Sequence, residues 1–329
     1  MSKVQRDLFD CSPEEWLAAR DALINLFESD DVASSQVTHT EAAKSTDNLL
    51  ESADEGSNNF DAFHSDHTDA SATHLGSQAT ERLALLKLDE TFKLSIIVPV
   101  FNETETIEQV LQRLVKLALP LEIIVVDDGS KDGSRELLTT LVPQVEKELP
   151  ARKTIELALH SSNFGKGAAL KTGFAKASGT VIAIQDADLE YDPTDFIWLL
   201  GPLVMDQADV VYGSRFSRGS LADSPFWHRW GNQLITFASN LTTGLDWRDV
   251  ETCYKLIRAS VIQEIGPTLK ERGFGIELEL TAKLARYPKL KYYERPIRYQ
   301  KRGYSEGKKI GLKDAFWAAW CILRYRLGN

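Results

Sequence analysis

The sequence predicts a doubly wound α/β domain built on a mostly parallel sheet. Two observations carry this. Short apolar runs alternate with stretches of helical periodicity, and polar residues directly follow several of those runs. Strands of a parallel sheet are covered by helices on both faces, so they read as near-continuous apolar segments rather than alternating ones. Uneven charge then marks the limits of the domain. The 329-residue chain has a formal net charge of −10, but residues 1–90 alone hold 6 Lys and Arg against 19 Asp and Glu. Residues 287–329 hold 11 Lys and Arg against 3 Asp and Glu. The acidity belongs to the N-terminal part. The basic C-terminal end suits an anionic partner, either phosphates or a membrane surface.

In chain order, the first expected element is a short helix near 12–28. Ser12 serves as N-cap, Pro13 opens the first turn and Glu15 completes a capping box. Trp16, Ala19, Leu23, Leu26 and Phe27 then recur at helical spacing. Residues 29–80 are rich in Ser, Thr, Asp, Asn, Ala and His. Such a composition offers little apolar surface to offset ordering entropy, so residues 1–85 read as an acidic, largely disordered extension. His39, His64, His67 and His74 fall there, and either flexible composition or a metal-binding tract accommodates them. Beyond Leu85 the texture changes. Strands are expected at Leu94–Val100, Leu121–Val126, Thr154–Leu159, Val181–Gln185 and Val210–Tyr212, with helices over 104–117, 132–148 and 166–177 between them.

Cys11, Cys253 and Cys321 are far apart and form no C-x-x-C pair, which argues against a disulfide framework or zinc knuckle and fits a reducing cytoplasm. The N-terminus shows no apolar h-region, and no run of about 18 apolar residues is long enough to span a bilayer. No nucleic-acid partner is expected, and the sequence sets no oligomeric state.

The chemistry-bearing residues cluster after the apolar runs. Asp186-Ala187-Asp188-Leu189-Glu190 follows the fourth run and would place carboxylates at the carboxyl edge of the sheet, where open α/β sheets bind ligands. Hard cations such as Mg²⁺ and Mn²⁺ take oxygen ligands there, although a solvated acidic turn has the same residues. Asn102-Glu103 follows the first run and Asp127-Asp128-Gly129-Ser130 the second. Carboxylates in such positions accept hydrogen bonds from a base or ribose, while Ser130 or Asp132 can cap the next helix. Asn163-Phe164-Gly165-Lys166-Gly167-Ala168 has the look of a phosphate loop but lacks the Ser or Thr after Gly-Lys. Its glycines and helix N-terminus suit either an anion or a tight connection.

Taken in order, six motifs carry a family resemblance. They are Val98-Pro99-Val100-Phe101-Asn102-Glu103, Val126-Asp127-Asp128-Gly129-Ser130, the Asn163–Ala169 loop, the Asp186–Glu190 cluster, Gly213-Ser214-Arg215-Phe216, and Asp249-Val250-Glu251-Thr252-Cys253-Tyr254-Lys255. Residues 94–262 resemble the family 2 inverting glycosyltransferases with a GT-A fold, particularly the polyprenyl-phosphate (dolichyl-phosphate) mannose and glucose synthases. The resemblance implies a catalytic domain over 86–300. It also implies transfer of a hexose from GDP-mannose or UDP-glucose to a polyprenyl phosphate. Pro99, Phe101, Glu103, Asp127 or Asp128, Lys166 and Asp186 would hold the nucleotide donor, and Asp186, Asp188 and Glu190 a Mg²⁺ or Mn²⁺ ion. Asp188, Arg215 and Asp249 would be catalytic. Two positions depart from the family: Phe101 stands where Tyr is frequent, and Glu190 where many mannose synthases have Gln.

A phosphate acceptor needs cations more than a general base, because a phosphate monoester with a second pKa of about 6 is already largely dianionic at neutral pH. Arg215, Arg229, Arg302 and Lys308 are the candidates for that role, with surface solvation as the plain alternative for each. A hydroxyl acceptor would instead need a base, with Asp249 or Glu251 available. A silent nucleotide-sugar-binding module is a third possibility. Residues 301–329 form a basic loop and an amphipathic helix. Over 312–327, Phe316, Trp320, Leu323 and Leu327 make an apolar stripe beside Trp317 and Tyr325, flanked by Lys313, Arg324 and Arg326. The segment suits a helix lying at the cytoplasmic face of a membrane, or one closing the core.

Overall fold

Leu94–Val100, the first long apolar run, forms a central strand of the single sheet that dominates the computed structural model. The structure describes residues 4–6, 88, 90–216, 226–300, 320–322, 324 and 325. In chain order the strands are β1 (Val4–Arg6), β2 (Leu94–Val100), β3 (Leu121–Asp127), β4 (Lys153–Leu159), β5 (Val181–Ile184), β6 (Val210–Ser214), β7 (Lys255–Arg258) and β8 (Tyr292–Pro296). The helices are α1 (Ile107–Val115), α2 (Ser134–Glu148), α3 (Lys166–Lys176), α4 (Asp195–Val204), α5 (Phe226–Thr243), α6 (Ala259–Ile265) and α7 (Ile276–Leu284).

The spatial order is β1-β8-β6-β7-β5-β2-β3-β4. Neighbours run parallel except at β7, which is antiparallel to both β5 and β6. Every strand from β2 to β6 was expected within a residue or two. Three were not. β7 and β8 are short and carry Lys255, Arg258, Glu294 and Arg295, so their apolar signal is broken by charge. β1 lies inside the stretch expected to lack structure, yet Val4, Gln5 and Arg6 pair in register with Tyr292, Tyr293 and Glu294. The expected helix near 12–28 and the remainder of the acidic extension lie outside the described residues.

Both faces of the sheet are covered, as the alternation along β3 shows. Ile123 and Val125 join the main apolar core with Leu111 and Leu114 of α1, while Ile124 and Val126 meet Ala169 of α3 in a separate cluster. Successive strand side chains point to opposite faces, so one strand feeds two cores. α1 buries Ile107, Val110, Leu111 and Leu114, the stripe its spacing predicts. Pro99 sits within β2 at no cost to the ladder. Its nitrogen has the same parity as Ile97, whose carbonyl accepts from Gln185 on the β5 side, and β5 pairing has ended there.

The basic excess near the C-terminus is partly spent inside the fold. Arg295 is buried, donates to the Trp198 carbonyl at 2.6 Å and stacks on the Trp198 ring. Arg298 pairs with Asp192 and Asp195. At the C-terminal end, residues 320–322, 324 and 325 are helical. Cys321, Ile322 and Tyr325 enter the core while Trp320 stays 55% exposed. Of the expected stripe, Trp320 points outward, and Phe316, Leu323 and Leu327 lie outside the described residues.

Candidate active site

β5 is only four residues long, and its buried Val-Ile-Ala-Ile run delivers the chain to Gln185 and the acidic turn at the carboxyl edge. The three carboxylates of that turn do not converge on one point. Asp186 Oδ1 lies 2.8 Å from the Lys166 ammonium. Asp188 is buried and accepts from the Glu190 backbone N–H at 3.1 Å. Glu190 accepts from the Tyr299 hydroxyl at 3.0 Å. Among the described residues no group of three or more His, Cys, Asp or Glu side chains is arranged to hold a metal ion. Tyr299 thus engages the third carboxylate of the expected trio, Asp186 pairs with Lys166, and Asp188 closes the turn on itself.

Lys166 belongs to a chain of alternating charges. Its ammonium also lies 3.2 Å from Glu277 Oε1 on α7, and Glu277 Oε2 lies 2.5 Å from the fully buried Lys255 of β7. Burial alone would pull Lys166 down, but Asp186, the Cys253 sulfur and Glu277 outweigh it and hold the lysine well above its ordinary pKa. Two glycines bring these elements together. Gly165 has φ +96°, and a Cβ there would stand 2.4 Å from the Arg272 carbonyl oxygen; one on Gly167 would stand 2.6 Å from that of Glu271. Segment 271–273 therefore lies directly on the Gly-Lys-Gly turn, and Ala168 N–H donates to Arg272 O at 3.2 Å. Glu279 shapes the same segment by accepting from the Lys270 and Glu271 N–H groups.

The two aspartates at the end of β3 are both engaged. Asp127 accepts from Arg135 Nε at 2.7 Å and from the Ser130 N–H. Asp128 accepts from His160 Nδ1 at 2.6 Å, Phe164 N–H at 3.0 Å and Gly165 N–H at 2.6 Å. Asp128 thereby ties the end of β3 to the turn that presents Lys166. The N-cap of α2 is Gly133, with Asp132 rather than Ser130 accepting from the Ser134 N–H just inside the helix. Glu103 and the Ala187 carbonyl both lie within reach of the Thr106 hydroxyl, at 3.0 and 2.8 Å, which links the loop after β2 to the acidic turn. Phe101 beside it is 42% exposed, an open ring face at the mouth of the edge.

On the other side of the acidic turn, Asp249 clamps Arg215. Nε donates to Oδ2 at 2.7 Å, one terminal nitrogen to Oδ1 at 2.8 Å, and the Arg215 backbone N–H adds a third bond. Glu294 of β8 holds the Arg248 and Asp249 N–H groups at 2.8 and 3.2 Å. Arg215 is therefore largely buried and oriented, not an open surface cation. The Tyr299 ring faces its guanidinium at 5.4 Å, and Tyr191 and Tyr299 form an isolated antiparallel bridge. Gln300 N–H donates to Glu190 O at 2.8 Å, so the chain leaves the described region alongside the acidic turn. Glu251 is pushed up to about 7 by burial, with Asp249 and Glu277 adding to the shift and Arg215 opposing it. Arg229 lies in the first turn of α5 with its side chain outside the described residues, as are Arg302 and Lys308 altogether.

Residues 95–266 match the family described as glycosyl transferase family 2, over half of the chain. The chain belongs to glycosyl transferase family 2. Two curated relatives are similar to this family 2 chain. One is an undecaprenyl-phosphate 4-deoxy-4-formamido-L-arabinose transferase of Pseudomonas fluorescens, 31% identical over 174 residues, covering 51% of this chain and 48% of the relative. The other is a dodecaprenyl-phosphate galacturonate synthase of Rhizobium johnstonii, 31% identical over 180 residues, covering 54% and 51%. The chain thus spans about half the length of the curated relatives it matches. Among solved structures, glucosyl-3-phosphoglycerate synthase from Mycobacterium tuberculosis, crystallised with Mn²⁺, UDP and phosphoglyceric acid, matches with a TM-score of 0.52. Identity there is 19%, over 76% of this chain and 83% of that one, so this likeness carries the fold alone.

Four residues that contact the expected site residues or pair with them through one another were not singled out from sequence: His160, Lys255, Glu277 and Tyr299. Lys255 lies in the Asp249–Lys255 motif, where it reads only as a possible partner of Glu251. Glu277 sits in Ile276-Glu277-Leu278-Glu279-Leu280, where apolar neighbours on every side were the available sign that the acids go inward.

Proposed function

We propose that this chain transfers a sugar, with inversion, from a nucleotide-diphosphate donor to a polyprenyl phosphate at the cytoplasmic face of a membrane. The observation that carries the reading is the joint made by Tyr299. Its hydroxyl reaches the acidic turn at Glu190 while its ring faces Arg215, so a donor site and an acceptor cation share one carboxyl edge. Both relatives are named for polyprenyl phosphates, which supports the same acceptor class here. The donor is proposed to be a hexose, from GDP-mannose or UDP-glucose.

An acceptor phosphate oxygen attacks the anomeric carbon from the face opposite the donor phosphate. The bond from that carbon to the donor phosphate oxygen breaks, and the nucleoside diphosphate departs with the electron pair. The acceptor is already dianionic, so no side chain has to remove a proton. Arg215, fixed by Asp249, is assigned to the acceptor phosphate together with Arg229, Arg302 and Lys308. Phe101, Glu103, Asp127 and Pro99 frame the base and ribose, and Asp128 holds the turn that aims Lys166 at the diphosphate.

Asp186 and Asp188 suit Mg²⁺ or Mn²⁺, since such ions commonly take one or two carboxylates plus substrate phosphates. The turn already accommodates a cation there, the Lys166 ammonium. When bound, a divalent ion would supply Lewis-acid stabilisation of charge on the departing diphosphate.

The test is transfer from a panel of nucleotide sugars, including uronic and amino sugars, to polyprenyl phosphate with Mg²⁺ or Mn²⁺ supplied. We expect a glycolipid product, lost in Asp188→Ala while the circular dichroism spectrum is kept. Full turnover under excess chelator would remove the metal from the reading, and product only on hydroxyl acceptors would remove the acceptor. One observation favours that second reading: Glu251, with a pKa near 7 beside Arg215 and Asp249, has the properties of a general base for a hydroxyl.

A further inference from the structure

We infer that Glu277 is a positioning residue for Lys166, the pivot that keeps this ammonium at the donor diphosphate when Asp186 is engaged elsewhere. The inference deepens the donor-site reading above and rests on it. Asp186, Lys166, Glu277 and Lys255 form a linear series of alternating charge, and its two ends differ. Lys255 is fully buried, with its ammonium between Glu277 Oε2 and the Thr252 carbonyl, so that end is fixed. Asp186 retains 22% of its side-chain exposure and stands at the open edge. Lys166 lies between the fixed end and the open one.

The two oxygens of Glu277 make different contacts. Oε2 bonds Lys255. Oε1 faces Lys166 at 3.2 Å as an ion pair, without the alignment of a hydrogen bond. An ion pair of that kind tolerates small displacements of the ammonium better than a directional bond does. Lys166 can therefore turn from Asp186 toward an arriving diphosphate and remain paired. Without Glu277, an ammonium carried on a flexible stem loses that guide while Lys255 is left as an unpaired buried charge. The Gly-Lys-Gly turn and the 271–273 segment, held together by the Ala168–Arg272 bond, keep Lys166 and the start of α7 in fixed relation.

The test compares wild type, Glu277→Gln and the double variant Lys255→Met with Glu277→Gln. Glu277→Gln alone leaves Lys255 unpaired and can lose the fold. The double variant removes both buried charges and is the decisive one. UDP and GDP binding is titrated calorimetrically without divalent ion and again with Mn²⁺, and donor KM and kcat are measured alongside thermal unfolding. We expect the double variant to unfold near the wild-type temperature, to bind nucleoside diphosphate about tenfold more weakly without Mn²⁺, and to raise donor KM more than it lowers kcat. Adding Lys166→Met to the double variant should then change metal-free binding less than twofold. A folded double variant with wild-type binding and KM overturns the inference, leaving Glu277 as a counter-charge for Lys255 alone. Wild type that binds neither nucleotide under either condition overturns the donor-site reading instead.

Discussion

Asp128 and Glu251 illustrate how much a single carboxylate depends on its neighbours. Asp128 stands where a base-binding acid was expected, but its oxygens are taken by His160, Phe164 N–H and Gly165 N–H. In the proposed donor site it would act through the turn it holds. Glu251 sits a few residues away from Asp249 and keeps its proton to about pH 7 because burial penalises the charge. The folded-state pKa is raised above the unfolded value. The associated stability is thus present below the ordinary glutamate range and lost as pH rises through 7. Glu251→Gln should consequently be more stable than wild type at pH 8, by on the order of 2–3 kcal/mol, and show no gain at pH 4. Urea unfolding at the two pH values measures this, and equal gains at both would exclude a burial-driven shift. Arg302 and Lys308 were readable as cations from sequence, but a pairing such as Arg215 with Asp249 was not, since 34 residues separate the partners. Only the fold brings them together.

At the level of elements, the apolar runs made β2 to β6 legible because parallel strands buried on both sides leave an unbroken signal. β7 escaped for a physical reason. It is an antiparallel insertion of four residues, and one of those is the buried Lys255 whose charge is balanced by α7. The reading of the 163–168 loop left open whether its glycines serve an anion or a tight connection, and the structure gives them the connection first. Their missing Cβ atoms admit the 271–273 backbone. Gly165→Ala should therefore destabilise the protein by about 1–3 kcal/mol from its left-handed backbone alone, before the clash with Arg272 O is counted. Thermal unfolding together with donor KM would register it. An unchanged melting temperature would mean that the turn relaxes away from segment 271–273 and that the clasp is not tight.

Across the whole molecule, two apolar surfaces stay open on neighbouring elements. Leu234, Phe237 and Leu241 line one face of α5 at helical spacing, and Trp320 projects from the C-terminal helical segment. Thr242 and Thr243 of α5 share a cavity lining with Tyr325, which places the two elements side by side. Among the described residues no helix is long and apolar enough to cross a membrane. The proposed bilayer contact would therefore rest on these faces. A variant carrying Leu234→Ser, Phe237→Ser and Trp320→Ser should lose most co-sedimentation with anionic vesicles while its nucleotide binding is unaltered. Retention of vesicle binding would assign the contact to other parts of the chain.

Among the described strands the short β1 has one neighbour in the sheet, β8, and the two are the first and last of those strands in chain order. Among the described strands a ribosome makes Val4–Arg6 before all others and Tyr292–Pro296 after all others. The earliest strand to emerge is thus the one that waits longest for its hydrogen-bonding partner, and a chain interrupted anywhere before Tyr292 leaves it unpaired. Contacts so distant in sequence carry the largest closure entropy and form late. Docking of β1 would mark the end of folding, reporting that the far edge of the sheet has been built.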